Sequence, residues 1–285
     1  MHGNLAVLLM KCPDRPGIVA AISSLLFRHG ANITDLDQHS SEEDPGVYFM
    51  RLELQTQGLD VSLDGLRARL AEEVARPFAM EWSLTRAADR KKVALLVSRH
   101  DHAMLELLWE WRRGDLPCEV TQVISNHPDL AQAVAPFGVP FHHVPNSREL
   151  RGQAEARMTG LLQGTDLVVL ASYMQIVSSE FVARFPHRIL NVHHSFLPAF
   201  VGADPYRQAW ERGVKIVGAT AHYVTAELDA GPIIEQDVGR VSHRLSVEDL
   251  RRMGRDLERR AIARAVRWHC EDRIIVHQNK TVVFA

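Results

Sequence analysis

The chain has 285 residues, 46% apolar and 24% charged, the balance of a soluble globular protein long enough for two domains. Its formal net charge of −2 offers no broad basic field to nucleic acid or an anionic membrane, and the apolar run Leu5–Met10 is too short for a signal peptide or a membrane span. Cys12, Cys118 and Cys270 are odd in number, far apart and without metal-ligand spacing, which predicts small buried side chains in a reducing, cytoplasmic compartment.

Residues 5–84 read as one unit. Leu5–Met10 predicts a strand, and Cys12-Pro13-Asp14-Arg15-Pro16-Gly17 a turn. Ile18, Val19, Ile22, Leu25 and Leu26 fall at helical spacing, with Gly30 where a helix ends. Asn32–His39 is a more polar strand. In 47–54, Tyr48, Met50, Leu52 and Leu54 alternate with Phe49, Arg51 and Glu53, which predicts a period-2 strand. Leu59, Leu63, Leu66, Leu70 and Val74 predict a second helix, and Met80–Leu84 a fourth strand. The order βαββαβ is that of a ferredoxin-like sandwich.

The charged stretch 85–92, TRAADRKK, reads as a linker, so the boundary is expected near residue 85, with domains over 1–85 and 86–285. Beyond it the pattern changes. Near-continuous apolar strands (93–97, 119–124, 141–144, 166–170, 189–192) alternate with helical stretches, predicting an α/β domain with a buried, mostly parallel sheet. Strands are expected at 217–224 and 233–241, a long helix at 246–269, and a terminal hairpin around Gln278-Asn279-Lys280.

Two segments put polar groups beyond strand ends, where open α/β sheets bind ligands. One is Asn191-Val192-His193-His194-Ser195-Phe196-Leu197-Pro198, in which Asn191 and His193 share a side of an extended backbone. The other is His222-Tyr223-Val224-Thr225-Ala226-Glu227-Leu228-Asp229-Ala230-Gly231-Pro232, which carries one carboxylate in a loop of small residues. An amide, an imidazole and a carboxylate fit acyl-group chemistry, but turn capping and ordinary hydrogen bonding explain the same residues. The pairs His100/His102, His142/His143 and His193/His194 lack the helical spacing of a metal site.

The run from Asn191 to Ile234 resembles the folate-dependent formyltransferase fold, a Rossmann-like α/β domain. Asn191-x-His193, Ser195, Leu197-Pro198 and Leu228-Asp229-Ala230-Gly231-Pro232 match its pattern. Among its members, the ribonucleotide-using transferases carry a Gly-rich phosphate loop after the first strand. Here Ser98-Arg99-His100-Asp101-His102 follows that strand without a glycine, and His194 replaces the usual proline. Both features, and an N-terminal unit like an ACT domain with its Asp-Arg-Pro-Gly-Ile and Gly-Ala-Asn-Ile turns, resemble the formyltetrahydrofolate deformylases.

The resemblance implies hydrolysis of 10-formyltetrahydrofolate to formate and tetrahydrofolate, feeding one-carbon and purine metabolism. The alternative is formyl transfer to an amine. Asn191 and protonated His193 are implied as oxyanion donors, with Asp229 as water-holding base that keeps the imidazole charged. The implied folate pocket comprises Leu170, Met174, Gln175, Ile176, Val177, Ile189, His194 and Val224, with Gln175 in place of the family's common arginine. No metal or further cofactor is expected. The resemblance also implies an amino-acid effector at Asp14, Gly17 and Asn32, held between paired copies in a homo-oligomer.

Overall fold

The computed structural model describes residues 4–199 and 204–285; Phe200–Ala203, inside the run that carries the resemblance, lie outside the described residues. The chain divides into two compact units. One comprises Met1–Arg90, Glu271–His277 and Val282–Ala285, the other Lys91–Cys270 and Gln278–Thr281. The boundary falls later than residue 85 because Thr85 and Arg86 still pair with Val7 and Ala6. Lys91 and Lys92 already pair with Cys118 and Glu119, so the linker shrinks to 87–90.

The first unit runs β1 (Leu5–Pro13), α1 (Ile18–Arg28), β2 (Asn32–Ser40), β3 (Val47–Gln55), α2 (Leu63–Leu70) and β4 (Glu81–Arg86). Its antiparallel sheet has the order β2-β3-β1-β4. One sheet face packs Leu8, Met10, Met50 and Leu52 against Ile22, Leu25, Leu66 and Leu70 of the helices. The other face is also covered. Phe49 packs with Ile275 and Phe284, against Leu9 and Val47. Arg51 is also buried: its Nε donates to the Asp272 carbonyl at 3.1 Å and its Nη2 pairs with Glu53 at 2.6 Å. The expected terminal hairpin forms as β12 (Ile274–His277) and β13 (Lys280–Val283), but most of the 271–285 segment belongs to this unit rather than to the α/β domain. Alternation within β3 reports only that it is a strand; the cover on its second face is more than 200 residues away in sequence.

The second unit is a seven-stranded sheet of order β11-β10-β9-β8-β5-β6-β7. Strands β5 (Lys91–Val97), β6 (Cys118–Ser125), β7 (Phe141–His143), β8 (Leu167–Leu170) and β9 (Ile189–His193) are mutually parallel. β10 (Ile216–Tyr223) and β11 (Ile233–Arg240) add an antiparallel edge. α3 (His102–Arg113), α4 (Ala131–Val134), α5 (Arg151–Leu161) and α8 (Val247–Cys270) lie where helical stretches are expected. Two short helices go beyond the sequence reading: α6 (Ser179–Ala183), N-capped by Ser178, and α7 (Pro205–Arg212), with proline in its first turn. Neither is long enough to display periodicity. The chain order reverses between β5 and β8, which opens a crevice beyond the carboxyl ends of these strands.

Candidate active site

That crevice holds a pocket of about 590 Å³, lined by residues after β5 (His100, His102), after β8 (Ser172–Val177), at the end of β9 (Asn191–His194) and after β10 (Val224–Ala226, Leu228, Asp229). Asn191, His193 and Asp229 meet in it. The Nδ1 of His193 lies 3.3 Å from Oδ2 of Asp229. His222, which the sequence reading left without a role, joins them. Its Nε2 is 3.3 Å from the Asn191 amide nitrogen and 3.7 Å from Oδ1 of Asp229. Its Nδ1 faces the Tyr223 carbonyl at 2.9 Å, an acceptor only, so Nδ1 carries a hydrogen. With Nδ1 turned to that carbonyl, Nε2 faces the Asn191 amide and the Asp229 carboxylate together. His222 lies opposite Asn191 across β9 and β10, at a register shift between β10 and β11 that re-aims its side chain.

Burial decides the charge of His193. Its ring is 8% exposed, and desolvation holds its pKa below the ordinary histidine value although Asp229 pulls the other way. The expectation that Asp229 keeps this imidazole charged is therefore not met. Asp229 itself lies below the usual carboxylate range, chiefly through its contact with His222, against the opposing effect of burial. With Nδ1 turned to a carboxylate, neutral His193 keeps its lone pair on Nε2, which is buried without a hydrogen-bond partner among the described residues.

The sequence builds this geometry through backbone contacts. Gly231 lies against β10 so closely that a Cβ there would overlap the Tyr223 carbonyl, and the Tyr223 N–H donates to Pro232 O at 2.9 Å. This folds the loop back and brings Asp229 to His193. Asp229 and Ser172, both pocket residues, have φ of 54° and 62°, a left-handed conformation uncommon outside glycine and held only where the surroundings over-determine it. Behind His194, the fully buried Thr220 donates to Ser195 O and accepts from the Leu197 N–H and from Gln236. Ser98, at the end of β5, donates to Asn126 at 2.7 Å and accepts the Met174 N–H at 2.9 Å, tying the 172–177 segment to the sheet. Among the described residues no set of three or more His, Cys, Asp or Glu side chains is arranged to hold a metal ion.

Of the expected pocket residues, Leu170, Met174, Gln175, Ile176, Val177, His194 and Val224 line the cavity. Ile189 does not. It is fully buried in the core beside β8, where its carbonyl accepts the Val224 N–H. The expected effector residues separate within one copy of the chain. Asp14 and Gly17 follow the end of β1, with Asp14 N–H bonded to Gly46 O and Gly17 at φ 98° before α1. Asn32 pairs with Gln55, which pairs with Leu5 at the other end of β1. A nine-residue strand lies between, about 25–30 Å at 3.3 Å per residue.

Comparison with known proteins accords with this geometry. The formyl transferase family profile matches residues 91–266, and the ACT domain profile matches residues 6–66. The formyltetrahydrofolate deformylase of Bacillus subtilis (strain 168) is 50% identical over 279 residues, covering 97% of this chain and 93% of its own. The crystal structure of a formyltetrahydrofolate deformylase from Pseudomonas syringae pv. tomato superposes with a TM-score of 0.96 at 46% identity, over 99% of this chain and 95% of that one. A glycinamide ribonucleotide transformylase from Symbiobacterium toebii shares 35% identity and a TM-score of 0.65, over 69% of this chain and 95% of its own. Full-length coverage, through the N-terminal unit as well as the α/β unit, places the chain in the formyltetrahydrofolate deformylase family.

Proposed function

We propose that the protein hydrolyses 10-formyltetrahydrofolate to formate and tetrahydrofolate. The observation that carries this reading is the convergence of Asn191, His193 and Asp229 in one pocket. Water attacks the formyl carbon while Nε2 of His193 takes its proton. Asp229, on Nδ1, stabilises the imidazolium that forms, and the Asn191 amide donates to the developing oxyanion. The C–N10 bond then breaks and His193 returns the proton to N10. A carboxylate held below its usual range is a weak base, so the burial of His193 and the position of Asp229 favour the imidazole as the proton acceptor. Atoms balance with water alone, and no further cofactor enters.

The pterin occupies the lobe between Leu170–Val177 and Val224–Leu228, where apolar walls meet backbone polar groups, a combination suited to a flat heterocycle. The test is purified protein with 10-formyltetrahydrofolate and no amine. Formate and tetrahydrofolate are expected in equal amounts; formyl loss only on adding an amine would replace hydrolysis by transfer.

For the N-terminal unit we propose an amino-acid effector. Asp14 and Gly17 lie at one end of the sheet and Asn32 at the other, so a site using all three needs two copies, which makes the working protein a dimer or tetramer. Calorimetry against the common amino acids checks this: no binding to any of them and no change in turnover would remove it. Cys12, Cys118 and Cys270 are buried and form no disulfide among the described residues, which supports a cytoplasmic location, and among the described residues no helix is long and apolar enough to cross a membrane.

A further inference from the structure

At the opposite side of the pocket from the pterin lobe sits a buried polar cluster that the catalytic scheme does not use. Glu258 of α8 is 7% exposed, yet both its oxygens are engaged. Oε2 lies 2.8 Å from Nε2 of His102, the first residue of α3, and Oε1 accepts from the hydroxyl of Tyr206 in α7 at 3.2 Å. Three helices thus converge on one carboxylate, and all three side chains line the cavity. The helix that carries Glu258 makes room for this. A Cβ at Gly254, one turn before Glu258, would overlap the Tyr206 hydroxyl. Glycine is disfavoured inside a helix, and here it falls where Tyr206 enters. Burial and the adjacent Glu258 push the Tyr206 phenol upward, so it stays a neutral donor.

The cluster abuts the reacting groups. The His194 ring stacks on His193 with centroids 4.9 Å apart and tilts against Tyr206 at 6.2 Å. Of the two arginines on this side, Arg251 donates to both oxygens of Asp204 at 3.0 and 3.1 Å, and Arg255 lies 3.9 Å from Glu248. A nucleophile reaching the formyl carbon from this side meets a filled wall, with a carboxylate whose oxygens are already bonded and a paired arginine.

We propose that His102, Tyr206 and Glu258 determine acceptor specificity: they close the space an amine acceptor would need and reserve the formyl carbon for water. This rests on the hydrolytic reading above. In the blocked reaction an amine nitrogen would bond to the formyl carbon, the C–N10 bond would break, N10 would gain the proton the amine loses, and a formamide would form in place of formate.

The experiment is a partition assay. Wild type, His102→Ala and the double variant His102→Ala/Tyr206→Ala are each given 10-formyltetrahydrofolate with rising concentrations of glycinamide or its phosphorylated ribosyl derivative. Formate, formylated amine and tetrahydrofolate are then quantified. For wild type, formate should match tetrahydrofolate at every amine concentration. In the variants, formylated amine should appear and rise with amine, reaching at least a tenth of the tetrahydrofolate released. Variants that release formate but no formylated amine would overturn the proposal, as would a wild type that formylates the amine equally well. His102→Ala changes a partly exposed helix-start residue, so it carries the test if the double variant fails to fold. A wild type inert with water would instead sink the hydrolytic reading, an outcome the same assay separates.

Discussion

His193 and Asp229 lie 3.3 Å apart through Nδ1 and Oδ2, although 36 residues separate them in sequence. The sheet closes that gap. β10 runs antiparallel to β9 with Thr220 opposite His193, and the loop after β10 is turned back onto it at Gly231. The carboxylate therefore meets the imidazole through backbone packing.

Asp229→Asn should leave a stable fold. Asparagine is nearly isosteric and tolerates the left-handed backbone at this position. Turnover should fall by ~10²–10⁴, because the amide cannot stabilise the charged His193 that proton transfer creates. Folate binding should largely survive. Wild-type kcat in a variant with an unchanged thermal midpoint would end the proposed mechanism.

The pH profile follows from the lowered pKa of His193. As the base, the ring works when neutral, so kcat/KM should hold as pH falls past ~6.5, the ordinary histidine value, and decline only below it. In Asp229→Asn the residual activity should have its acidic limb at lower pH still, because the charge that raises the pKa is gone. The folded ring also binds its proton less tightly than the unfolded one. The contribution of His193 to stability is thus present above ~6.5 and is lost as pH drops from there through the folded value. An acidic limb above the ordinary histidine value would contradict the assignment.

Asn191→Ala should reduce kcat by ~10²–10³, the usual loss for one oxyanion donor. His222 orients the same amide, so His222→Ala should also slow the enzyme. Its effect should shrink when Asn191 is already alanine. Losses that multiply fully in the double variant would show that His222 acts independently of the amide.

Gly231→Ala tests the fold-back itself. The added methyl overlaps the Tyr223 carbonyl, backbone that cannot rotate aside. A loss of ~1–3 kcal/mol or more is expected, with impaired turnover as the Asp229 loop shifts. Differential scanning calorimetry alongside kinetics reads both, and an unperturbed variant would mean that the loop has slack.

Phe49→Ala should destabilise the N-terminal unit by ~3–5 kcal/mol, because the ring is 2% exposed under Ile275 and Phe284. Phe27→Ala is the control: that ring is 83% exposed, and its loss should stay within ~0.5 kcal/mol. Denaturant unfolding of the two variants gives the contrast directly.

Sequence periodicity located most strands and the long helices, because burial on one or both faces leaves a local imprint. The pairing of Asn191, His193 and Asp229 was legible through an ordered motif of unusual length. What stayed hidden depends on contacts between distant segments. The burial of Phe49 and Arg51 comes from residues 271–285, distant in sequence, and leaves no local imprint in β3. His222 looked like any buried strand residue until register placed it opposite Asn191. Ile189 carried the right chemistry for a pocket wall, but its strand position points it into the core. The lowered pKa of His193 is not legible in the sequence, because proximity to a carboxylate is visible in a motif and desolvation is not.

The discontinuous make-up of the N-terminal unit bears on its synthesis. Its four strands and two helices leave the ribosome first, but Leu9, Val47 and Phe49 stay uncovered until Ile275 and Phe284 arrive. At roughly 5–20 residues per second, that wait lasts on the order of 10–40 s. During it, a half-covered sheet must persist with an apolar face open to other nascent chains. A chain interrupted anywhere before residue 271 would keep that face exposed, open to chaperones and proteases.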